Sequence, residues 1–178
     1  HLAPPVPDEY PQVNSADVTV IGDSVVLSAE PDIYDAMPDA TIDAAEGRTI
    51  VQALPMVKSW SSQGKIGKVL VLSVTANSTL MPGQLEEVLR ALPADTKLVL
   101  ATGYGPRTLT WIDSSNNLIR EFAQKNSSCV YIADWNGART QAVRSDPSLM
   151  TSDGVHPEVK GQMLYARILT EAVARAQS

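Results

Sequence analysis

Two runs near the middle of the chain, Val69-Leu70-Val71-Leu72-Ser73-Val74 and Leu98-Val99-Leu100-Ala101, are almost continuously apolar. A strand with one wet face alternates apolar and polar residues, whereas a run apolar in both phases has to be covered on both faces. Such strands need helices above and below them. Further strand-like runs stand at Val18-Thr19-Val20-Ile21, Thr41-Ile42-Asp43-Ala44 and Val130-Tyr131-Ile132-Ala133. Between the runs the spacing turns helical: Leu85, Val88, Leu89 and Leu92 fall at i, i+3, i+4, i+7, with Pro82 near the start and Pro93 at the stop. Ile112, Asn116, Ile119 and Ala123 repeat that spacing, with Asp113 or Ser114 expected as N-cap. A last helix is expected from about Pro157 to Ala176, Pro157 occupying the first turn, where its missing N–H is not needed. Five strands alternating with helices predict a three-layer α/β/α fold around a five-stranded parallel sheet, in flavodoxin-like order 2-1-3-4-5.

At 178 residues the chain suits one domain. The stretch Leu2-Ala3-Pro4-Pro5-Val6-Pro7 leads us to expect a proline-rich linker or leader over 1–16 and a single folded domain over 17–178. A net charge of −6 opposes general binding to nucleic acid or anionic membrane. The single cysteine, Cys129, cannot form an internal disulfide and sits in an apolar run, which predicts a buried core position. No stretch approaches the ~20 apolar residues of a membrane-spanning helix.

Only two histidines occur, His1 and His156. Imidazole chemistry in the folded domain therefore falls to His156, in Thr151-Ser152-Asp153-Gly154-Val155-His156-Pro157. At the other end, the first strand runs into Gly22-Asp23-Ser24. In a parallel sheet, sites form beyond the carboxyl ends of the strands. Gly22-Asp23-Ser24, Glu46-Gly47-Arg48, Thr75-Ala76-Asn77-Ser78, Gly103-Tyr104-Gly105-Pro106-Arg107 and Asp134-Trp135-Asn136-Gly137 follow the five strands in turn, so topology alone should gather them on one edge. The turn with Asp153 and His156 precedes the last helix and can return there. Ser24 then has the place of a nucleophile, His156 of its general base and Asp153 of the group that fixes the imidazole. The Ser24 and Gly47 N–H groups and the Asn77 amide are candidate oxyanion donors. Asp23 reads as a structural hydrogen-bonding residue of the turn. Tyr104, Arg107 and Trp135, with Trp111 nearby, are candidates for binding substrate by stacking or ion pairing. One internal histidine and one cysteine do not make a usual zinc set, so neither a metal nor another cofactor is expected. Gly103-Tyr104-Gly105-Pro106 lacks the third glycine of a nucleotide fingerprint.

These blocks resemble the SGNH (GDSL-like) hydrolase superfamily: Gly22-Asp23-Ser24 as its first block, Gly47 as the second-block glycine, Asn77 as the third-block asparagine, and Asp153-Gly154-Val155-His156 as its Asp-x-x-His block. More narrowly, Val18-Thr19-Val20-Ile21-Gly22-Asp23-Ser24-Val25 and Glu46-Gly47-Arg48 are similar to the extracytoplasmic domain of O-acetyltransferases fused to a membrane acyltransferase. The peptidoglycan O-acetyltransferases are the best known of these. The resemblance implies a serine O-acyltransferase or esterase working through an acyl-enzyme. It implies an acyl donor and a cell-envelope glycan acceptor as partners, fusion to an N-terminal membrane acyltransferase domain, a cell-surface location, and a monomer as the isolated domain. A secreted carbohydrate esterase and a non-catalytic glycan- or partner-binding domain are the alternatives. The chain departs from the family at Thr75-Ala76-Asn77-Ser78, where the family usually has glycines flanking the asparagine, and this restricts the loop.

Overall fold

The computed structural model describes residues 10–178. Five strands, β1 (Val18–Gly22), β2 (Thr41–Ala44), β3 (Val69–Ser73), β4 (Lys97–Ala101) and β5 (Val130–Ala133), alternate with six helices. These are α1 (Ser24–Ala36), α2 (Ile50–Ser62), α3 (Gln84–Ala91), α4 (Ile112–Lys125), α5 (Trp135–Ser145) and α6 (Val159–Gln177). The strands form one parallel sheet in the order β2-β1-β3-β4-β5, as the sequence predicts.

The two-faced apolar strands account for the layering. Val69, Val71 and Val99 face a cluster completed by Val26 and Ile33 of α1 and Leu169 and Val173 of α6. Leu70, Leu72, Leu98 and Leu100 face the opposite cluster, with Val57 of α2, Val88 of α3 and Ile119 and Phe122 of α4. Odd positions of β3 thus carry valine to one helical layer and even positions carry leucine to the other, the two-residue period of a strand covered on both sides. Cys129 is only partly buried, packed against the second cluster one residue before β5.

Several boundaries differ from expectation. The cap of α4 is Trp111, and Asp113 and Ser114 lie inside the first turn, where the Ser114 hydroxyl donates to the Trp111 carbonyl. Pro157 does not enter α6. It bridges to Met150, and the helix begins at Val159 with Glu158 as cap. The segment after β5 is no open loop: α5 starts at Trp135, with the Asp134 carboxylate accepting from the Gly137 N–H. Within the expected linker, residues 1–9 lie outside the described residues, while Tyr10 and Asn14 contact α6 and Ser15 accepts from the Asp39 N–H. There the Asn14 backbone exchanges two hydrogen bonds with the Gln177 side chain, and Tyr10 packs on the first cluster.

What positions the site is the flush carboxyl edge. Gly22 is in register with Ala44 of β2 and Ser73 of β3, so three strands stop on one line. Gly22 also permits α1 to fold back tightly, since a Cβ there would fall 2.2 Å from Val26 Cγ2 and 2.5 Å from Val26 Cβ. Val26 is fully buried and β-branched, so it cannot swing away. Gly22→Ala should therefore destabilise the fold by about 1–3 kcal/mol, as overpacking of a filled core does. Denaturant midpoints will check this, and an unchanged midpoint would contradict the close approach.

Candidate active site

The chain leaves β1 at Gly22 and enters α1 at Ser24, with Asp23 alone between them. Asp23 makes that corner possible. Its extended backbone serves as N-cap, its Oδ1 accepts from the Val25 N–H at 3.0 Å, and its own N–H donates to the Ser73 carbonyl at 3.0 Å. Ser24 consequently stands at the helix N-terminus, above the sheet edge, where free N–H groups and the helix dipole favour negative charge.

The imidazole arrives from 132 residues away. Pairing of Met150 with Pro157, and a 2.7 Å bond from the Glu158 N–H to the Leu149 carbonyl, close a tight loop over 150–158. Gly154 takes a left-handed φ of 72° at its tip. Inside, Asp153 Oδ1 accepts from the Thr151 hydroxyl at 2.7 Å, the Val155 N–H at 2.7 Å and the His156 N–H at 2.9 Å. This leaves Oδ2 for His156 Nδ1, 2.7 Å away, and His156 Nε2 lies 2.7 Å from Ser24 Oγ. The three side chains expected to act together are thus brought into one hydrogen-bonded line. Burial pushes the Asp153 carboxyl up, but the His156 ring, the His156 and Val155 N–H groups and the Thr151 hydroxyl outweigh it and hold the group well below the usual carboxylate range. An ionised Asp153 requires a donor at Nδ1, so Nε2 is left to accept a proton from Ser24.

The glycine and asparagine loops approach from β2 and β3. Gly47 is exposed at φ 74°, a conformation that L side chains rarely adopt. Beside it, Arg48 ties the loop to the sheet: its guanidinium donates to the carbonyls of Gly22 (3.3 Å) and Asp43 (2.7 Å) and pairs with the Asp43 carboxylate at 2.8 Å. Asn77 Nδ2 donates one proton to the Arg48 carbonyl at 3.1 Å, which leaves a second N–H on the same nitrogen. The missing glycines cost this loop nothing, because no described non-glycine residue has positive φ.

The remaining candidates separate. Trp135 is buried at 2% exposure, edge-on to Tyr165 with ring centroids 5.2 Å apart, so it is a core residue and not a substrate platform. α5 begins one residue after β5, so Trp135 is the first residue of a helix and not part of a loop at the site. Tyr104 has one face covered by Arg139, whose guanidinium carbon is 3.4 Å from the ring centroid. Trp111 donates to the Thr75 carbonyl at 2.9 Å and so supports the asparagine loop. Arg107 is exposed on the loop after β4. Sequence reasoning did not find the anchoring by Arg48, the second bond of Asp23 to the Ala76 N–H (3.1 Å), or the buried pair of Tyr165 and Ser73 hydroxyls at 2.7 Å, next to the β1–α1 corner. Arg48 alone had a signal, as a lone cation directly after the loop glycine.

No protein-family model matches the chain. The C-terminal catalytic domain of Streptococcus pneumoniae peptidoglycan O-acetyltransferase A, solved with a methylsulfonyl adduct, superposes with a TM-score of 0.79 at 26% identity, covering 90% of this chain and 93% of that one. O-acetyltransferase OatA of Staphylococcus aureus is 30% identical over 157 residues, which are 88% of this chain and 24% of that protein. The chain therefore spans about a quarter of the length of the relatives it matches. A lipolytic G-D-S-L family protein from Veillonella parvula shares the fold alone, with a TM-score of 0.72 at 11% identity over 89% of this chain and 98% of that one. The sheet order and flanking helices give the chain the fold of the SGNH (GDSL-like) hydrolases. Within that class it is homologous to the O-acetyltransferases, whose catalytic domain it matches along nearly its whole length.

Asp153 also gives the turn a pH signature. Because its carboxyl lies below the unfolded value, the stability it contributes is fully present above about pH 4 and is lost as pH falls toward the depressed value. The stability difference between wild type and Asp153→Asn should therefore be positive at pH 6 and shrink steadily below pH 4. Urea titrations at several pH values will measure it, and a difference independent of pH would show that the carboxylate does not hold the turn.

Proposed function

We propose that this domain is an extracytoplasmic serine O-acyltransferase that moves an acetyl group through a Ser24 acyl-enzyme to a hydroxyl of a cell-envelope glycan such as peptidoglycan. The observation that carries the reading is the line from Ser24 Oγ through the His156 ring to Asp153, with 2.7 Å at each step. The catalytic unit is residues 17–178, and the preceding residues link it to a membrane acyltransferase that supplies the donor.

The chemistry follows from the atoms. Ser24 Oγ attacks the ester carbonyl carbon as its proton passes to His156 Nε2, and Asp153 stabilises the imidazolium through Nδ1. The tetrahedral oxyanion is held by the N–H of Ser24, the N–H of Gly47 and the uncommitted N–H of Asn77, each donor lowering the barrier by about 3–4 kcal/mol in comparable sites. Collapse breaks the bond to the donor's oxygen, which takes the proton from Nε2. A sugar hydroxyl then gives its proton to His156 and attacks the acyl-Ser24 carbonyl, and a second collapse returns the serine. Arg107, exposed on the neighbouring loop, is the residue we assign to contact the acceptor.

One observation favours hydrolysis as a second reading. The His156 and Asp153 side chains keep 34% and 51% of their surface exposed, so water reaches the base. The partition is therefore set by how well the acceptor excludes water. Incubation with an acetyl ester and a chitooligosaccharide decides between the readings. We expect acetylated sugar that rises with acceptor concentration, and free acetate alone at every concentration would reject the transferase. Ser24→Ala should remove ester turnover in both cases. Unchanged turnover would leave a glycan- or partner-binding role.

A further inference from the structure

We propose that Asp23 is a positioning residue whose single carboxylate clamps the asparagine loop to the nucleophile's helix, so that two parts of the oxyanion hole are held at a fixed separation. This deepens the acyl-transfer reading and rests on it.

The geometry is specific. Asp23 is 1% exposed, and its two oxygens are divided between two segments: Oδ1 takes the Val25 N–H of α1, and Oδ2 takes the Ala76 N–H beside Asn77. A cap needs only the first of these bonds. The second reaches across 53 residues to a loop that otherwise hangs on the Trp111 indole, through Thr75, and on Arg48, through Asn77. Among the described residues, no other side-chain hydrogen bond joins residues 75–78 to the β1–α1 corner. A glycine-flanked asparagine would have a loop free to wander, and here ordinary residues plus a charge-assisted bond replace that freedom.

Burying the charge carries a cost, which pushes the Asp23 carboxyl up to about 6 against the two N–H donors and His156. The titratable groups around it are His156, whose positive charge favours the carboxylate, and Tyr165, whose phenol is pushed up by burial and further by Asp23. A protonated Asp23 carries an O–H on one oxygen and loses the full negative charge that holds both amides. The clamp should therefore loosen as pH falls through this range.

The wild-type protein reads this directly. In nitrogen-15-labelled protein the Val25 and Ala76 amide protons should both move upfield on acidification, with one shared midpoint near 6. The shared transition should persist in His156→Ala, which removes the imidazole as its source, with the midpoint moved upward. An Ala76 amide that does not titrate, or that titrates apart from Val25, would overturn the clamp. Kinetics give an independent reading. Asn77→Ala should lower kcat by about 10²-fold in the wild type, and by much less when combined with Asp23→Asn, with KM little changed. Strict additivity of the two substitutions would also overturn the proposal. If Asp23→Asn does not fold, the amide titration still decides. Ester turnover that survives Ser24→Ala would sink the acyl-transfer reading while leaving the amide result standing.

Discussion

Two residues must turn a buried strand into a helix while aiming a hydroxyl away from the sheet, and everything else in the site depends on that corner. Gly22 admits Val26 against the strand, and Asp23 caps the helix and ties it to β3. The carbonyl of Gly22 receives the Arg48 guanidinium and the Ala45 N–H from the β2 side. Three strand ends are thus locked together within two residues of Ser24. A reactive group held this way needs little reorganisation when charge develops beside it, which is the condition for electrostatic stabilisation of a transition state.

The histidine turn meets this corner for a reason of layering. Helices α1 and α6 share one face of the sheet and one apolar cluster, where Val26 and Ile33 meet Leu169 and Val173. Because α6 starts at the carboxyl edge of the sheet, the turn that precedes it lies over the start of α1, where His156 meets Ser24. Gly161 allows α6 to sit close to that turn, since a Cβ there would fall 2.2 Å from the Leu149 carbonyl oxygen. Long-range packing therefore sets the distance between Ser24 and His156, and short-range hydrogen bonds from Asp153 set the angle of the ring.

How much of this was legible in the chain varied with the physical signal. The sheet was readable because Val69-Leu70-Val71-Leu72 and Leu98-Val99-Leu100-Ala101 have only one environment open to them, and its order followed from the alternation. Helix α3 was readable from Leu85, Val88 and Leu89, with Leu92 at its C-cap, between Pro82 and Pro93. Helices α1 and α2 were not delimited, because each carries an internal proline, Pro31 and Pro55, that ordinarily argues against a helix. Those prolines forgo bonds to Leu27 and Val51, both on the solvent side at 40% and 68% exposure, where water can take the freed carbonyls. Trp135 misled because aromatic residues on a sheet edge read alike whether they face a ligand or the core. The serine, histidine and aspartate could be picked out from scarcity and topology, whereas the carbonyls that hold Arg48 and the amide that holds Asp23 leave no mark in a sequence.

The central claim is that Ser24 carries the acyl group between two half-reactions, and trapping that intermediate tests it most directly. Enzyme mixed briefly with an activated acetyl ester, quenched in acid and digested, should yield one acetylated peptide, with the acetyl on Ser24, and Gly47→Val should sharply reduce its rate of formation. An acetyl group found on any other residue, or turnover proceeding with no acetylated peptide under single-turnover conditions, would contradict the account.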